Sequence, residues 1–178
     1  MPTTRESLLE AATSAIERRP WPVVRMVEVA ARAGVSRQTL YNEFGDKAGL
    51  GQALTDHRVT VFLDGFRAFC AERGADAGSE ALAEATDWIV RSARADRLVR
   101  ASLTGCRCAE LPPPVRPPGR LVAELRESAL RALAPRARPA AFPDACETAV
   151  RLALSHLIAP PEPAPPKDPA GAPPGRSG

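Results

Sequence analysis

The chain is predicted to be all-α, a small N-terminal three-helix headpiece followed by a larger helical domain, on three observations. Apolar residues recur at i, i+3, i+4 and i+7 in one segment after another, which lines them along one face of a helix with 3.6 residues per turn. Helix-capping residues stand where several of those stripes begin, and glycine or proline where they end. No run alternates apolar and polar β-branched residues, so no strand is expected. A length of 178 residues accommodates a headpiece of about 50 residues and one larger domain.

The first helix is expected over residues 4–19, with Leu8, Ala12, Ala15 and Ile16 as its apolar stripe and Arg5, Glu6, Glu10 and Glu17 off it. Pro20, Trp21 and Pro22 end it, and Trp21 packs against the headpiece. In the second helix Val29, Ala30 and Ala33 share one face, and Gly34 stops it in the left-handed conformation that glycine adopts at little cost. Arg25 and Met26 offer no side-chain cap, so its start is expected to fray. Val35 turns inward, and Ser36 is an N-cap from which a third helix grows. Leu40 and Phe44, four apart, form its buried stripe. Arg37, Gln38, Thr39, Tyr41 and Asn42 then face outward near its N-terminal end. Such hydrogen-bonding side chains at the start of the second helix of a helix-turn-helix reach base edges and phosphates in the major groove of double-stranded DNA.

From Asp46 a long helix runs to about Arg73, carrying Leu50, Leu54, Val61, Phe62, Phe66 and Phe69, and a loop follows from Gly74 to Gly78. Ser79 caps a helix to about Arg94 with Leu82, Trp88 and Ile89. Asp96 caps a shorter one with Leu98, Val99 and Leu103 that stops at Gly105. Prolines at 112, 113, 114, 117 and 118 make LPPPVRPPG an extended connection. Arg120 to Leu133 reads as a helix, and a last one spans about Pro143 to Ile158. The latter is apolar on two sides, with Cys146, Val150, Ala153 and Leu157 on one and Ala145, Ala149 and Leu152 on the other, as in a helix packed between its own core and a second surface. Pro160 to Gly178 contains eight prolines and almost no large apolar group, a composition expected to stay disordered.

The segment MVEVAARAGVSRQTLYNEFGDK, through Val29, Ala30, Ala33, Gly34, Val35, Ser36, Thr39, Leu40, Tyr41, Phe44, Lys47 and Leu50, resembles the helix-turn-helix of the TetR family of bacterial transcriptional regulators. The resemblance covers about residues 5 to 54. It implies a DNA-binding domain over 1–46, a helical ligand-binding and dimerisation domain over 47–159 and a Pro-rich tail over 160–178. It implies Ser36, Arg37, Gln38, Thr39, Tyr41, Asn42 and Lys47 as the DNA-binding set. Within that set Arg37, Gln38, Tyr41 and Asn42 read bases and nearby phosphates, while Thr39 and Lys47 hold phosphates. Tyr41 has the alternative role of a half-buried ring supporting the turn, and Asn42 that of a solvated helix residue. Glu43 and Asp46 depart from a basic DNA face and should weaken non-specific affinity. The resemblance further implies a homodimeric repressor released from its operator by a small apolar effector. The large apolar groups available for a cavity are Phe62, Phe66, Phe69, Trp88, Leu98 and Leu103, which equally suit a plain core. Leu125, Val150, Ala153 and Leu157 are the expected dimer contacts.

Charge neither adds to this reading nor contradicts it. The net charge is +3, and residues 1–50 hold seven Lys or Arg against six Asp or Glu, which is no basic patch. DNA binding is therefore argued from placement. No signal segment and no membrane-length apolar run is present, which predicts a cytoplasmic protein with no membrane partner. The weight of Ala, Arg, Pro and Gly is that of a GC-rich coding sequence, as in actinobacteria. No phosphate loop, nucleophile elbow or paired carboxylates point to an enzyme, and no cofactor is expected. Cys106 and Cys108 flank Arg107, whose charge favours a thiolate. A thiol- or metal-responsive regulator acting through them is the alternative, although His57 and His156 form no ligand pattern with the cysteines.

Overall fold

The computed structural model describes residues 2–74, 78–134 and 139–160; the tail from 161 onward, expected to be disordered, and part of the loop expected at 74–78 lie outside them. All regular structure among these residues is helical, as expected. The first helix, α1 (Thr4–Arg18), opens on a capping box that the sequence reading passed over. The Thr3 hydroxyl accepts from the Glu6 N–H at 3.2 Å, and Glu6 accepts from the Thr3 N–H at 2.7 Å. The Thr3 backbone bond, followed by its hydroxyl bond, holds the Glu6 carboxyl below its usual range. A short 3-10 turn (Trp21–Val23) follows, then α2 (Met26–Arg32), α3 (Arg37–Phe44) and α4 (Lys47–Arg73). No side chain caps α2 at Arg25, as anticipated.

The 27-residue α4 rises about 40 Å and connects the headpiece to a body made of α5 (Gly78–Ala95), α6 (Arg97–Thr104), α7 (Pro118–Ala132) and α8 (Phe142–Ile158). Its N-cap is Asp46, which accepts from the Gly49 N–H at 2.8 Å. Asp96 caps α6 as expected, accepting from Leu98 and Val99. α5 begins at Gly78, one residue before Ser79, which was expected to precede it. Pro118 starts α7 two residues earlier than the apolar pattern suggested, since proline suits a first helical position whose N–H has no intrahelical partner. Val61 was expected among the apolar residues of α4 but is 48% exposed.

Two cores organise these helices. Leu8, Leu9, Ala12, Ile16, Trp21, Val29, Leu40 and Phe44 form the first, and it reaches past the headpiece to enclose Leu50 and Leu54 of α4, Leu98 and Ala101 of α6 and Leu111. The second holds Val59 to Cys70 of α4, Ala81 to Ala93 of α5, Val99 and Leu103 of α6, and the inner faces of α7 and α8. Alternate faces of α6 thus belong to different cores, and so do the two halves of α4. Within the body, α8 packs on α5 and α7, and α4 on α7 and α6.

Candidate nucleic-acid interface

Recognition of DNA by a short helix requires that the helix be held rigidly by one face while the other stays open. Leu40 and Phe44 hold α3 in the headpiece core, and Gly34, with φ +71°, turns the chain between α2 and α3 in a conformation that a side chain would strain. The Ser36 hydroxyl accepts from the Thr39 N–H at 3.0 Å and lies 2.8 Å from the Thr39 hydroxyl. Both groups therefore order the first turn of α3 before any ligand arrives. At its far end α3 meets α4 with no room for a side chain at Gly49, where a Cβ would lie 2.0 Å from the Phe44 carbonyl oxygen. The sequence motif alone gave no reason for that glycine; only the close approach of the two backbones does.

The open face carries the expected readers. Arg37, Gln38, Tyr41 and Asn42 are all exposed, Tyr41 at 47%. Gln38 Nε2 donates to Asn42 Oδ1 at 2.7 Å, which pre-orders the pair and leaves the Gln38 carbonyl and the Asn42 amide nitrogen for a base edge. Lys47 differs from the others. Its ammonium donates to the Pro22 carbonyl at 2.8 Å and lies 5.2 Å from the centre of the Trp21 ring. Partial burial there lowers its pKa. Two of its three N–H donors remain for a phosphate. The 21–23 turn as the seat of Lys47 was not anticipated.

The two acids that looked unfavourable for DNA are engaged within the chain. Arg5 donates to Glu43 at 2.7 Å while its guanidinium lies over the Phe44 ring, and Asp46 caps α4. Each carboxylate is directed to an internal donor, which weakens its repulsion of a phosphate.

In the body the expected cavity residues divide. Phe62, Phe66, Phe69 and Trp88 form one aromatic cluster with ring centres 5.4 to 6.4 Å apart. Phe66, Phe69 and Leu103 are buried filling of the second core, whereas Leu98 belongs to the headpiece core and is apart from them. Phe62 and Trp88 line an open apolar groove, together with Val61, Gly65, Ser92 and Val99, with Arg58 and Asp96 at its polar end, while Leu98 lines a separate pocket with Ile16, Ala95 and Leu111. The expected dimer contacts need a larger correction. Leu125, Val150, Ala153 and Leu157 are buried within this chain's own core, because they form the inward stripes of α7 and α8. The outward face of α8 carries Leu152, 47% exposed, and Ile158, 69% exposed. Cys106 and Cys108 are exposed, Cys70 and Cys146 buried, and no three His, Cys, Asp or Glu among the described residues cluster as metal ligands. None of the described helices is long and apolar enough to cross a membrane.

Residues 8–54 match the model of the bacterial regulatory proteins of the tetR family, the same stretch that builds this headpiece. The headpiece is thus similar to the DNA-binding domain of that family. A relative is the HTH-type transcriptional regulator AlkX of Mycobacterium tuberculosis (strain ATCC 25618 / H37Rv), 38% identical over a match that covers 40% of this chain and 43% of that protein. The match thus spans less than half of that regulator's length. The crystal structure of the TetR family repressor AlkX from Dietzia sp. strain DQ12-45-1b, implicated in biodegradation of n-alkanes, superposes with a TM-score of 0.56 at 27% identity, covering 89% of this chain and 85% of that one. A TetR transcriptional regulator from Rhodococcus sp. RHA1 is a looser match, with TM-score 0.48 and 24% identity over 89% of this chain and 87% of that one. TetR proteins are regulators, not enzymes.

Proposed function

We propose that this chain is a TetR-family regulator, a cytoplasmic, sequence-specific repressor that binds operator DNA as a homodimer and is released by a small, mostly apolar effector. The observation that carries the DNA reading is the exposed row Arg37, Gln38, Tyr41 and Asn42 on a helix anchored by Leu40 and Phe44. Arg37 suits a bidentate contact to guanine and the Gln38–Asn42 pair an adenine edge, with Thr39 and Lys47 on phosphates. The near-neutral headpiece favours a dimer, which doubles the phosphate contacts and reads two half-sites related by a two-fold axis. The outward face of α8, with Leu152 and Ile158, is the surface that a second copy covers. Residues 1–46 act as the DNA-binding unit, 47–159 as the effector and dimerisation unit, and 160–178 as a tail.

The effector belongs in the groove along Val61, Phe62, Gly65 and Trp88, a space of about 280 Å³. By analogy with the Dietzia repressor, implicated in biodegradation of n-alkanes, the regulated genes handle n-alkanes or their products. Release requires tighter binding of the effector to the arrangement that cannot hold DNA, since equal affinity for both shifts nothing. The test is to select genomic fragments retained by the purified protein, then to challenge the complex with n-alkanes and their alcohols. Retention of no fragment above background contradicts the DNA reading; retention that none of these compounds relieves contradicts the effector reading alone.

A further inference from the structure

Residues 105–117 run from α6 to α7 without regular structure, yet they are fastened at both ends. At the α7 end Arg116 Nε donates to Asp56 at 2.9 Å and its Nη2 to Thr60 at 3.0 Å, both on α4, while Nη1 reaches Glu124 of α7 at 3.5 Å. At the other end the Trp21 N–H donates to the Glu110 carbonyl at 2.7 Å, and the Glu110 carboxylate pairs with Arg97 of α6 at 2.7 Å. Leu111 is buried in the headpiece core. Pro112 closes the seam at Gly51, where an added Cβ would lie 2.9 Å from the Trp21 ring and 3.1 Å from Pro112. Trp21 in turn supports Lys47, whose ammonium sits over its ring and on the Pro22 carbonyl. Four of these thirteen residues are proline, and each fixes one backbone dihedral, so displacement at one end is poorly absorbed before it reaches the other.

We propose that this connector is a second tether, beside α4, through which the body positions the 21–23 turn and Lys47, so that DNA occupancy of the headpiece and the state of the connector are coupled. The tether rests on the reading of α3 and Lys47 as the DNA face. Coupling free energy is reciprocal: if the connector positions Lys47 for DNA, bound DNA must alter the connector. Cys106 and Cys108 lie in it and are exposed, whereas Cys70 and Cys146 are buried, which makes the native thiols a reporter at one place.

The experiment uses the full chain and an aromatic disulfide reagent that releases a coloured thiolate as each protein thiol forms a mixed disulfide. The fast phase, from Cys106 and Cys108, is timed without DNA, with a retained genomic fragment and with a scrambled duplex. The fragment is expected to change the fast rate by about fivefold or more, and the scrambled duplex much less. Arg116→Met, which alters no group on the DNA face, is expected to abolish that change and to weaken fragment binding by about fivefold or more while the protein still melts cooperatively. If that variant does not melt cooperatively, Pro112→Gly replaces it, with the same result expected. Fast rates that the fragment leaves unchanged overturn the tether, and so does an undiminished change in the folded variant, which means simple shielding by DNA. Failure to retain any fragment overturns the DNA reading and the tether with it, whereas retention with unchanged thiol rates overturns the tether alone.

Discussion

The headpiece holds its shape by short-range devices, the body by long apolar faces. In the former, α2 and α3 are only seven and eight residues long, too short to persist alone in water. Ser36, Gly34, the Thr3–Glu6 box and the contact at Gly49 therefore set where each begins and how the chain turns between them. In the body, helices of 15 to 27 residues outside α6 are held by Phe62, Phe66, Phe69, Ile89, Leu103 and Leu125, and an apolar groove remains open beside Trp88. The comparison teaches that local devices set the short helices of the headpiece, whereas shared apolar faces, with one groove left open, set the body. Because α4 and α6 contribute to both cores, the two regions are expected to lose their structure together.

The largest effects probe that last point. Phe66→Ala in the body should cost about 3–5 kcal/mol and Leu40→Ala in the headpiece about 2–5 kcal/mol, since each leaves a cavity in a closed core. Denaturant curves followed by far-ultraviolet dichroism and by tryptophan fluorescence should coincide for both variants; two separated transitions would mean independent regions. Next comes the two-sided helix α8. Val150→Glu places a charge in the core and should unfold the chain or cost several kcal/mol, of the order of 3 or more. Leu152→Glu on the outward face should leave the melting temperature of the protomer nearly unchanged and abolish the proposed dimer. Light scattering reads the difference, and a folded, dimeric Leu152→Glu protein would place the interface elsewhere.

Alkaline pH probes the body core through Cys70, while Lys47 in the headpiece, its pKa lowered by burial, acts in the opposite direction. Burial pushes the Cys70 thiol, ordinarily at 9.0, up to about 12. Below pH 9 both folded and unfolded chains keep that proton and its contribution to stability is complete. As pH rises from there toward 12 the unfolded chain ionises first, so stability falls by up to about 1.4 kcal/mol per pH unit. Cys70→Ala should flatten that decline in urea titrations at pH 9 to 11; an equally steep decline would assign it to other groups. The smallest effect is expected at the surface of the headpiece. Arg5→Ala removes a partly exposed ion pair with Glu43 and should cost only about 0–1 kcal/mol of stability. It also frees the Glu43 carboxylate, so DNA affinity should fall more than stability does, most visibly at low salt.

The same contrast explains what was legible in the sequence. Gly34, Ser36, Leu40 and Phe44 announce the helix-turn-helix because its determinants are local, each fixing the backbone within a few residues. Helix identity in the body followed from periodicity as well, and Asp96 and Gly105 mark the ends of α6. Periodicity does not say which apolar face meets which. Val150, Ala153 and Leu157 were therefore expected at a partner, whereas the packing of α8 on α5 and α7 places them in the chain's own core. Leu98 was assigned to the body for the same reason, although the consecutive residues Leu98 and Val99 of α6 enter different cores. The positions of Gly49, Gly51 and Trp21 depend on contacts between segments far apart in sequence, which no local pattern encodes.

The DNA reading is tested most directly by titrating a retained genomic fragment and a scrambled duplex with the unmodified protein and with Arg37→Ala at several salt concentrations. Loss of about 1–3 kcal/mol on the fragment, with little change on the scrambled duplex and an unaltered salt slope, is expected of a side chain that reads a base. Equal weakening on both duplexes would contradict the account and reduce Arg37 to a phosphate contact.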